Sequence, residues 1–476
     1  MNTAVTSVAK KILDIEKRTL NSNLDDLEAW YDIRVDIFNK INRVLGICDI
    51  AHVTKIRSKK LNNRVRISLL KKFYSIKASF VYKIRRKESY LFWGHPRRKL
   101  EEDLKYWDIY SDPIISGLNI THYLIIEKPF GHQHFSPIPN KDIIYYESIE
   151  NFEKFSVIGK MNIPDKVINT LNKIQIEINK EFNLNLDIVD YGIKKYTKNN
   201  ITERLMYLFL KMLKPKILFL VVSYRKEPII RAAKKLKIPT VELQHGMISK
   251  FHLGYSFNTQ LPKKSFPDYL FTFGEYWKST STLPLKMRNI FSIGYPYLEM
   301  RIKEHNIQEK KRQVVFISQG PIGKELSKFA IKYAEMNLDV SVIYKLHPGE
   351  VLRWRIDYKE LEEGNRKGLI NVIDSQRPSL YSLFAESIAQ VGVYSTAIFE
   401  GIRFGCKTFL VDLPGVDYLQ EMIDAGVAEL ITSADEIKID SVKKIDMTDI
   451  SKIFAVSWKK NFKNALDKIL QENSNQ

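Results

Sequence analysis

The stretch Ile217-Leu218-Phe219-Leu220-Val221-Val222, the turn Ser223-Tyr224-Arg225-Lys226-Glu227-Pro228 and the run Ile238-Pro239-Thr240-Val241-Glu242-Leu243 together decide the fold class. An unbroken apolar run bounded by polar residues reads as a strand covered on both faces. Pro228 suits the first position of a helix reaching about Leu236, where its missing N–H leaves nothing unsatisfied. Strand, turn, helix and strand in fewer than thirty residues make a βαβ unit. Such a unit dictates parallel strands and a right-handed crossover.

Beyond Arg312 the alternation restarts. Strands are expected at Val314–Ile317, Val340–Leu346, Ile370–Ile373, Ala389–Val393 and Thr408–Val411, with helices such as Leu326–Ala334 and Ala397–Phe404 between them. This predicts a second doubly wound parallel sheet. The charged stretch Arg301 to Arg312 reads as a linker. At the C-terminal side, Ile450, Ile453, Phe454, Trp458 and Phe462 recur at near-helical spacing, so 447–476 reads as a helical tail packing back on a domain. Towards the N-terminus, Ile33, Ile37, Ile41 and Leu45 recur every four residues, and Tyr90–Trp93 reads as a short buried strand ending in Gly94-His95-Pro96. The expected organisation is an α/β domain over 1–300 with a basic helical segment at about 1–88, a linker at 301–312, a second α/β domain at 313–446 and the tail.

The length of 476 residues exceeds what one core usually organises, and 44% hydrophobic residues argue for a folded chain. The formal charge of +20 points to anionic partners. Its densest part is Lys55–Lys99, with sixteen basic residues against the single acid Glu88, interleaved with Leu69, Leu70, Phe73, Ile76, Phe80 and Tyr82. That stretch reads either as a solvated helix face or as a surface touching the anionic inner leaflet. No helix-turn-helix, zinc-ligand spacing or aromatic RNA-binding pattern accompanies the charge, so nucleic acid is not the expected partner. Cys48 and Cys406, far apart, support neither a disulfide framework nor a cysteine metal site. Lys10, Lys11, Lys17 and Arg18 occupy the place where a signal peptide needs an apolar core. The longest apolar run is far shorter than a bilayer span. A cytoplasmic protein, peripheral on the inner face of the plasma membrane, is expected.

In open parallel sheets, ligands meet the loops beyond the carboxyl ends of strands. Four polar clusters fall there. In Val391-Gly392-Val393-Tyr394-Ser395-Thr396, Ser395 or Thr396 can cap the next helix or present its hydroxyl to a phosphate, and Glu400 lies one turn on, where a carboxylate can accept from ribose hydroxyls. Taken alone this is an ordinary cap with a surface glutamate. In Tyr344-Lys345-Leu346-His347-Pro348-Gly349-Glu350 a strand stops at a turn that leaves His347 at the rim beside Lys345. Ser318-Gln319-Gly320, after Val315-Phe316-Ile317, forms a small-residue turn without a Walker Gly-Lys-Ser/Thr. Gln244-His245-Gly246, after Val241-Glu242-Leu243, is a fourth strand-end turn, suited to acceptor or leaving-group contacts.

The succession of Leu-Gln-His-Gly at 243–246, Phe-Gly-x-Tyr-Trp at Phe273–Trp277, Ile-Gly-Tyr-Pro at Ile293–Pro296, Lys-Leu-His-Pro at 345–348 and Tyr-Ser-Thr-x-x-x-Glu at 394–400 resembles bacterial surface-polysaccharide glycosyltransferases of GT-B architecture. The His-Pro and Ser-Thr elements are similar to those of capsule transferases using CMP-activated sialic acid or Kdo, and to those of CDP-glycerol glycerophosphotransferases. The resemblance covers roughly Ile217 to Pro414. It implies two doubly wound domains facing a cleft, with His347 and Ser395 with Thr396 holding the donor phosphate and Glu400 the ribose; by their place at strand ends Ser318, Gln319, Gly320, Lys345 and Pro348 are expected to join them in holding the nucleotide-activated sugar. It implies a glycan or lipid-linked acceptor near Gln244 and Gly246, and an inverting reaction. The paired acidic-Gly element those enzymes carry for the base has no convincing copy here.

An attacking hydroxyl must lose a proton, so a carboxylate or histidine within reach is expected. The candidates are Asp108 and Asp112 in Trp107-Asp108-Ile109-Tyr110-Ser111-Asp112-Pro113, with His95 and His245. Asp112 before Pro113 also suits a turn. No Asp-x-Asp metal element stands out, and basic and hydroxyl groups can stabilise a departing nucleotide, so no metal and no cofactor is expected. A polyol-phosphate transferase, a catalytically inactive polyanion-binding scaffold and, less so, a sugar-nucleotide epimerase are the competing readings.

Overall fold

The computed structural model describes residues 5–19, 24–47, 89–95, 98–100, 106–129, 142–146, 162–258, 263–305, 309–375, 377–440 and 447–474. Residues 55–88 of the basic stretch lie outside them. The chain divides into two compact units, each built on one parallel sheet.

The seven-strand unit takes Lys11–Asn39, Thr54–Tyr297 and Ser457–Gln476. Along the chain its strands are β1 (Tyr90–Trp93), the short antiparallel ribbon β2 (Lys99–Leu100) and β3 (Tyr106–Trp107), then β4 (Tyr123–Glu127), β5 (Ile143–Tyr145), β6 (Ile217–Val221), β7 (Thr240–Leu243), β8 (Tyr269–Thr272) and β9 (Ile290–Ser292). The sheet order is β5-β4-β1-β6-β7-β8-β9, all parallel. Successive strand residues point to opposite faces, and both faces are covered. Leu91, Trp93, Leu218 and Leu220 meet Met206, Leu210 and Leu213 of the helix Ile188–Leu213 and Ile229 and Ile230 of the helix Glu227–Lys235. On the other face Phe92 stacks on Phe219 at 4.8 Å, and Trp458, Phe462, Ala465 and Ile469 of the helix Trp458–Ser474 close the layer. That is why a strand reading Ile-Leu-Phe-Leu-Val carries no polar residue.

The six-strand unit takes Met1–Lys10, Lys40–Val53 and Leu298–Val456. It contains β10 (Lys311–Ile317), β11 (Ser341–Lys345), β12 (Asn371–Ile373), β13 (Ser387–Gly392), β14 (Lys407–Val411) and β15 (Glu429–Ile431), in the order β12-β11-β10-β13-β14-β15 and again all parallel. Val314, Val315, Phe316, Ala389, Val391 and Phe409 are fully buried at its centre.

The two doubly wound domains, the helical N-terminal segment and the helical tail expected from the sequence are present. Three stretches differ from that expectation. Residues 301–305, read as linker, finish the helix Pro296–His305, where Arg301–Glu304 at 2.6 Å and Lys303–Glu299 at 3.1 Å are neighbours on a helix face. Residues 311–312 already belong to β10. The tail divides, with the helix Met447–Ile453 in the six-strand unit and Trp458–Ser474 in the other. Among the described residues no helix is long and apolar enough to cross a membrane.

Each sheet has one point where strand order reverses, between β1 and β6 in the first and between β10 and β13 in the second. Loops leaving adjacent strands there part in opposite directions and leave a crevice at the carboxyl edge.

Candidate functional site

At the first switch point β1 ends in Gly94-His95, β6 in Ser223–Lys226 and β7 in Gln244–Gly246. Glu242, a carboxylate in the middle of β7, is fully buried. One of its oxygens, Oε1, accepts the backbone N–H of Ser223 at 3.0 Å and the hydroxyl of Tyr255 in a short hydrogen bond. The Tyr255 oxygen lies 3.0 Å from Nδ1 of His245. With Glu242 taking the Tyr255 proton, the phenol oxygen accepts from His245 Nδ1–H, and the lone pair of the imidazole falls on Nε2. The Tyr224 hydroxyl stands 3.5 Å from that nitrogen, and Tyr110 donates to the His245 carbonyl at 2.6 Å. Burial, and then the charges of His252, His95 and Lys226, hold His245 well below the usual imidazole range, so the ring is neutral near pH 7. Burial pushes Glu242 up against the pull of Ser223 and Tyr255. Its Oε2 has no partner among the described residues.

Lys226 is buried beneath this loop and donates to the carbonyls of Val221 and, at 2.7 Å, Val222. Burial and then Lys128 lower its pKa to about 7. Val222 and Arg225 both have φ of +68°, a left-handed backbone that a branched valine adopts only under constraint. The Lys226 clamp on the Val221 and Val222 carbonyls supplies that constraint.

The remaining candidates on this rim divide by their hydrogen bonds. Asp108 is fully buried and its carboxylate accepts the N–H of His95 at 2.8 Å, the N–H of Tyr110 at 3.1 Å and the Ser111 hydroxyl at 2.6 Å. It fastens the loop after β1. Gly94 must stay glycine there, since a Cβ would sit 2.6 Å from Asp108 Oδ2. Asp112 opens a short helix, as the turn reading allowed; its Oδ2 accepts the Asp108 N–H at 2.8 Å and pairs with Arg98 at 3.2 Å. Burial drives its pKa to about 7, with Arg98 pulling down and Asp108 pushing up. Arg98 also reaches Glu127, at the end of β4, at 3.4 Å. His95 lies beside His245, ring centroids 6.3 Å apart, and edge-on to Tyr110 at 5.5 Å; Tyr110 stacks on Tyr295 at 6.2 Å. Gln244 is buried and spent on its own loop, donating to Gly246 O at 2.8 Å and accepting the Phe273 N–H at 2.7 Å. Asp108, Asp112 and Gln244 are thus engaged in hydrogen bonds within these loops, while His245 and His95 lie ring beside ring at the same strand ends.

At the second switch point the three loops expected to hold a nucleotide leave the adjacent strands β11, β10 and β13. The Ser318 N–H donates to the Lys345 carbonyl at 3.0 Å, and Gln319 Oε1 accepts the Tyr394 N–H at 3.4 Å. The centre of this rim is Glu350, fully buried, whose Oε1 accepts from Ser318 Oγ at 2.8 Å and Tyr358 OH at 2.7 Å and whose Oε2 accepts the His347 N–H at 2.8 Å. Ser318 thus turns its hydroxyl inward. The Gly320 carbonyl accepts from Arg353 at 3.3 Å. The Lys345 ammonium donates to the Ser375 carbonyl. His347, in the exposed His-Pro-Gly turn with Pro348, accepts the Gly349 N–H on Nδ1 at 3.2 Å, which places the ring proton on Nε2. Ser395 caps the helix Thr396–Arg403 through Ala397 N–H at 3.2 Å, and Glu400 lies one turn on. Among the described residues no three His, Cys, Asp or Glu side chains are placed to hold a metal ion.

Sequence reasoning gave Glu242, Tyr255, Lys226, Arg98 and Glu350 no role. Glu242 and Glu350 had a signal: each is an acid in or beside a run that a doubly covered sheet shuts off from water.

No protein-family model matches the chain, and no curated relative matches it. Among solved structures the chain is similar to UDP-GlcNAc 2-epimerase from Methanocaldococcus jannaschii, with 13% identity over 80% of this chain and 99% of that one and a TM-score of 0.47. It is similar to MurG from Acinetobacter baumannii, with 11% identity, 82% and 100% coverage and a TM-score of 0.39. It is also similar to the wall teichoic acid polymerase TagF with CDPG, with 13% identity, 88% and 99% coverage and a TM-score of 0.41.

Proposed function

We propose that the chain is a glycosyltransferase of bacterial surface-polysaccharide assembly. It moves a sugar from a nucleotide-activated donor, a CMP-activated sialic-acid-like sugar or Kdo, to a hydroxyl of a glycan or lipid-linked acceptor. The observation that carries this reading is the chain Glu242–Tyr255–His245, which ends on the lone pair of a neutral imidazole. The motif order from Leu243 to Glu400 supports the donor class.

In this reaction the acceptor hydroxyl gives its proton to His245 Nε2 as its oxygen attacks the anomeric carbon, and the bond from that carbon to the phosphate oxygen breaks. Tyr255 and Glu242 stabilise the imidazolium as the third group of a triad does. CMP leaves with the electrons of that bond; within the six-strand unit, His347 Nε2–H and the capped N-terminus of the helix Thr396–Arg403 are donors suited to a nucleotide phosphate. Direct displacement inverts the anomeric centre. His95, Tyr110 and Tyr295 offer an aromatic wall to the apolar face of a sugar ring. Fixed donors supply the charge stabilisation, so the reaction needs no divalent cation. Turnover abolished by a chelator and restored by magnesium would refute that part.

Thermal unfolding with CMP, CDP, UDP and GDP tests the donor, because a ligand bound to the folded state alone raises stability by mass action. Selective stabilisation by CMP, lost in His347→Ala, is the expected result; indifference to every nucleotide contradicts it. The mass of the product then separates sugar transfer from polyol-phosphate transfer, since phosphate travels with the group only in the latter.

A further inference from the structure

The opposite edge of the seven-strand sheet, where β6 and β7 begin, holds a cavity of about 470 Å³ lined by Leu210, Lys211, Lys214, Pro215, Lys216, Leu236, Lys237, Ile238, Pro239, Leu470 and Asn473. Its floor is apolar, its rim carries four lysines, and no acid lines it. Four lysines elsewhere on this unit are paired with carboxylates: Lys194 with Asp190, Lys195 with Asp36, Lys234 with Asp268 and Lys235 with Glu203. Among the described residues none of the four rim lysines has a carboxylate within 4.0 Å. Lys214 and Lys237 stand at φ of +49° and +55°, where glycine would avoid the steric cost. A lysine after a helix also favours the helix dipole, yet that accounts for neither Lys216 nor the apolar floor.

The helix Ile188–Leu213 runs to the cavity mouth and leaves Leu208 63% and Met212 43% exposed. Leu208, Lys211 and Met212 share one helix face by their spacing of three and four residues. An apolar pair beside a basic rim with no carboxylate partner among the described residues complements a surface that is anionic outside and oily beneath. We propose that this edge docks on an anionic phospholipid bilayer, the cavity taking a lipid phosphate while Leu208 and Met212 enter the interface. The dock lies a strand length, about 15 Å, from the His245 rim, so lipid binding and proton transfer use opposite ends of the same strands.

The test is co-sedimentation of the full chain with vesicles of phosphatidylcholine alone and with phosphatidylglycerol added. Binding to the anionic vesicles only, weakening as salt is raised, is expected. The combined variant Lys211→Gln, Lys214→Gln, Lys216→Gln and Lys237→Gln should lose on the order of 10³-fold, on the basis of ~1 kcal/mol per basic residue near the surface. Leu208→Ser with Met212→Ser should lose several-fold. Lys194→Gln with Lys195→Gln should bind as the parent does. Lys214→Gly with Lys237→Gly separates docking from folding: relief of the left-handed strain should raise the unfolding temperature while vesicle binding falls. Unchanged binding in the four-lysine variant overturns the proposal, as does equal binding to both vesicle types. Stabilisation by glycerol phosphate without vesicle binding would make the cavity a small-phosphate site and overturn the lipid assignment.

Discussion

Both sheets place a buried glutamate behind the loops of their switch point, and the two glutamates are used in opposite ways. Glu350 spends both oxygens on Ser318, Tyr358 and the backbone of His347, so the six-strand rim is a knot that fixes backbone positions. Glu242 keeps Oε2 without a described partner and passes its influence through Tyr255 to a ring nitrogen at the crevice. A saturated carboxylate builds a floor. An unsaturated one, linked to an imidazole, is what the proposed proton transfer relies on.

The largest effect that separates the two rims is on turnover. His245→Gln should slow it about 10³-fold, in the range expected for loss of a general base, with nucleotide stabilisation unchanged. A comparable loss of nucleotide binding would erase the distinction. Glu350→Ala should do the reverse, leaving the Ser318 and Tyr358 hydroxyls without their acceptor and costing about 3 kcal/mol by chemical denaturation. Tyr255→Phe, which removes one link and little volume, should lower kcat about ten-fold with KM nearly constant. Equal loss in Tyr224→Phe would point to packing rather than a relay. The smallest effect is at the donor helix, where Ser395→Ala should cost about 1 kcal/mol as a lost cap.

pH offers another way to sharpen the contrast. His252, like His245, is held neutral in the fold, its pKa lowered to about 4 by burial and then by Arg34. A depressed folded pKa contributes stability that is whole above the unfolded value near 6.5 and is lost as pH falls toward 4. Unfolding temperature should therefore decline across that window, and His252→Gln should flatten the decline. A pH-independent midpoint there would contradict the burial described.

The fold was legible wherever a sheet is covered on both faces, because Ile217–Val222 and the strands after Arg312 admit no water and hence few polar residues. It was less legible at β4 and β5, short runs separated by long segments, and in the helix Ile188–Leu213, whose apolar residues are spread around its axis. The strand-end loops proposed to carry a site were also marked in the sequence, since strand ends in parallel sheets are few. What those loops do was not. Asp108 looks like a base in sequence, and only the structure shows that its carboxylate accepts from Ser111 and two backbone N–H groups. Tyr255 has no local motif and acquires its role only when its loop brings it between Glu242 and His245.

In the proposed reaction a neutral, relay-held His245 takes the acceptor proton, and the Glu350-braced loops hold the donor nucleotide. The direct measurement is CMP release from a CMP-activated sugar in the presence of acceptor, by the parent chain and by His245→Gln at matched nucleotide occupancy. Acceptor-dependent release by the parent and about thousand-fold slower release by the variant are expected. Release by His245→Gln at the parental rate would contradict the proposed reaction.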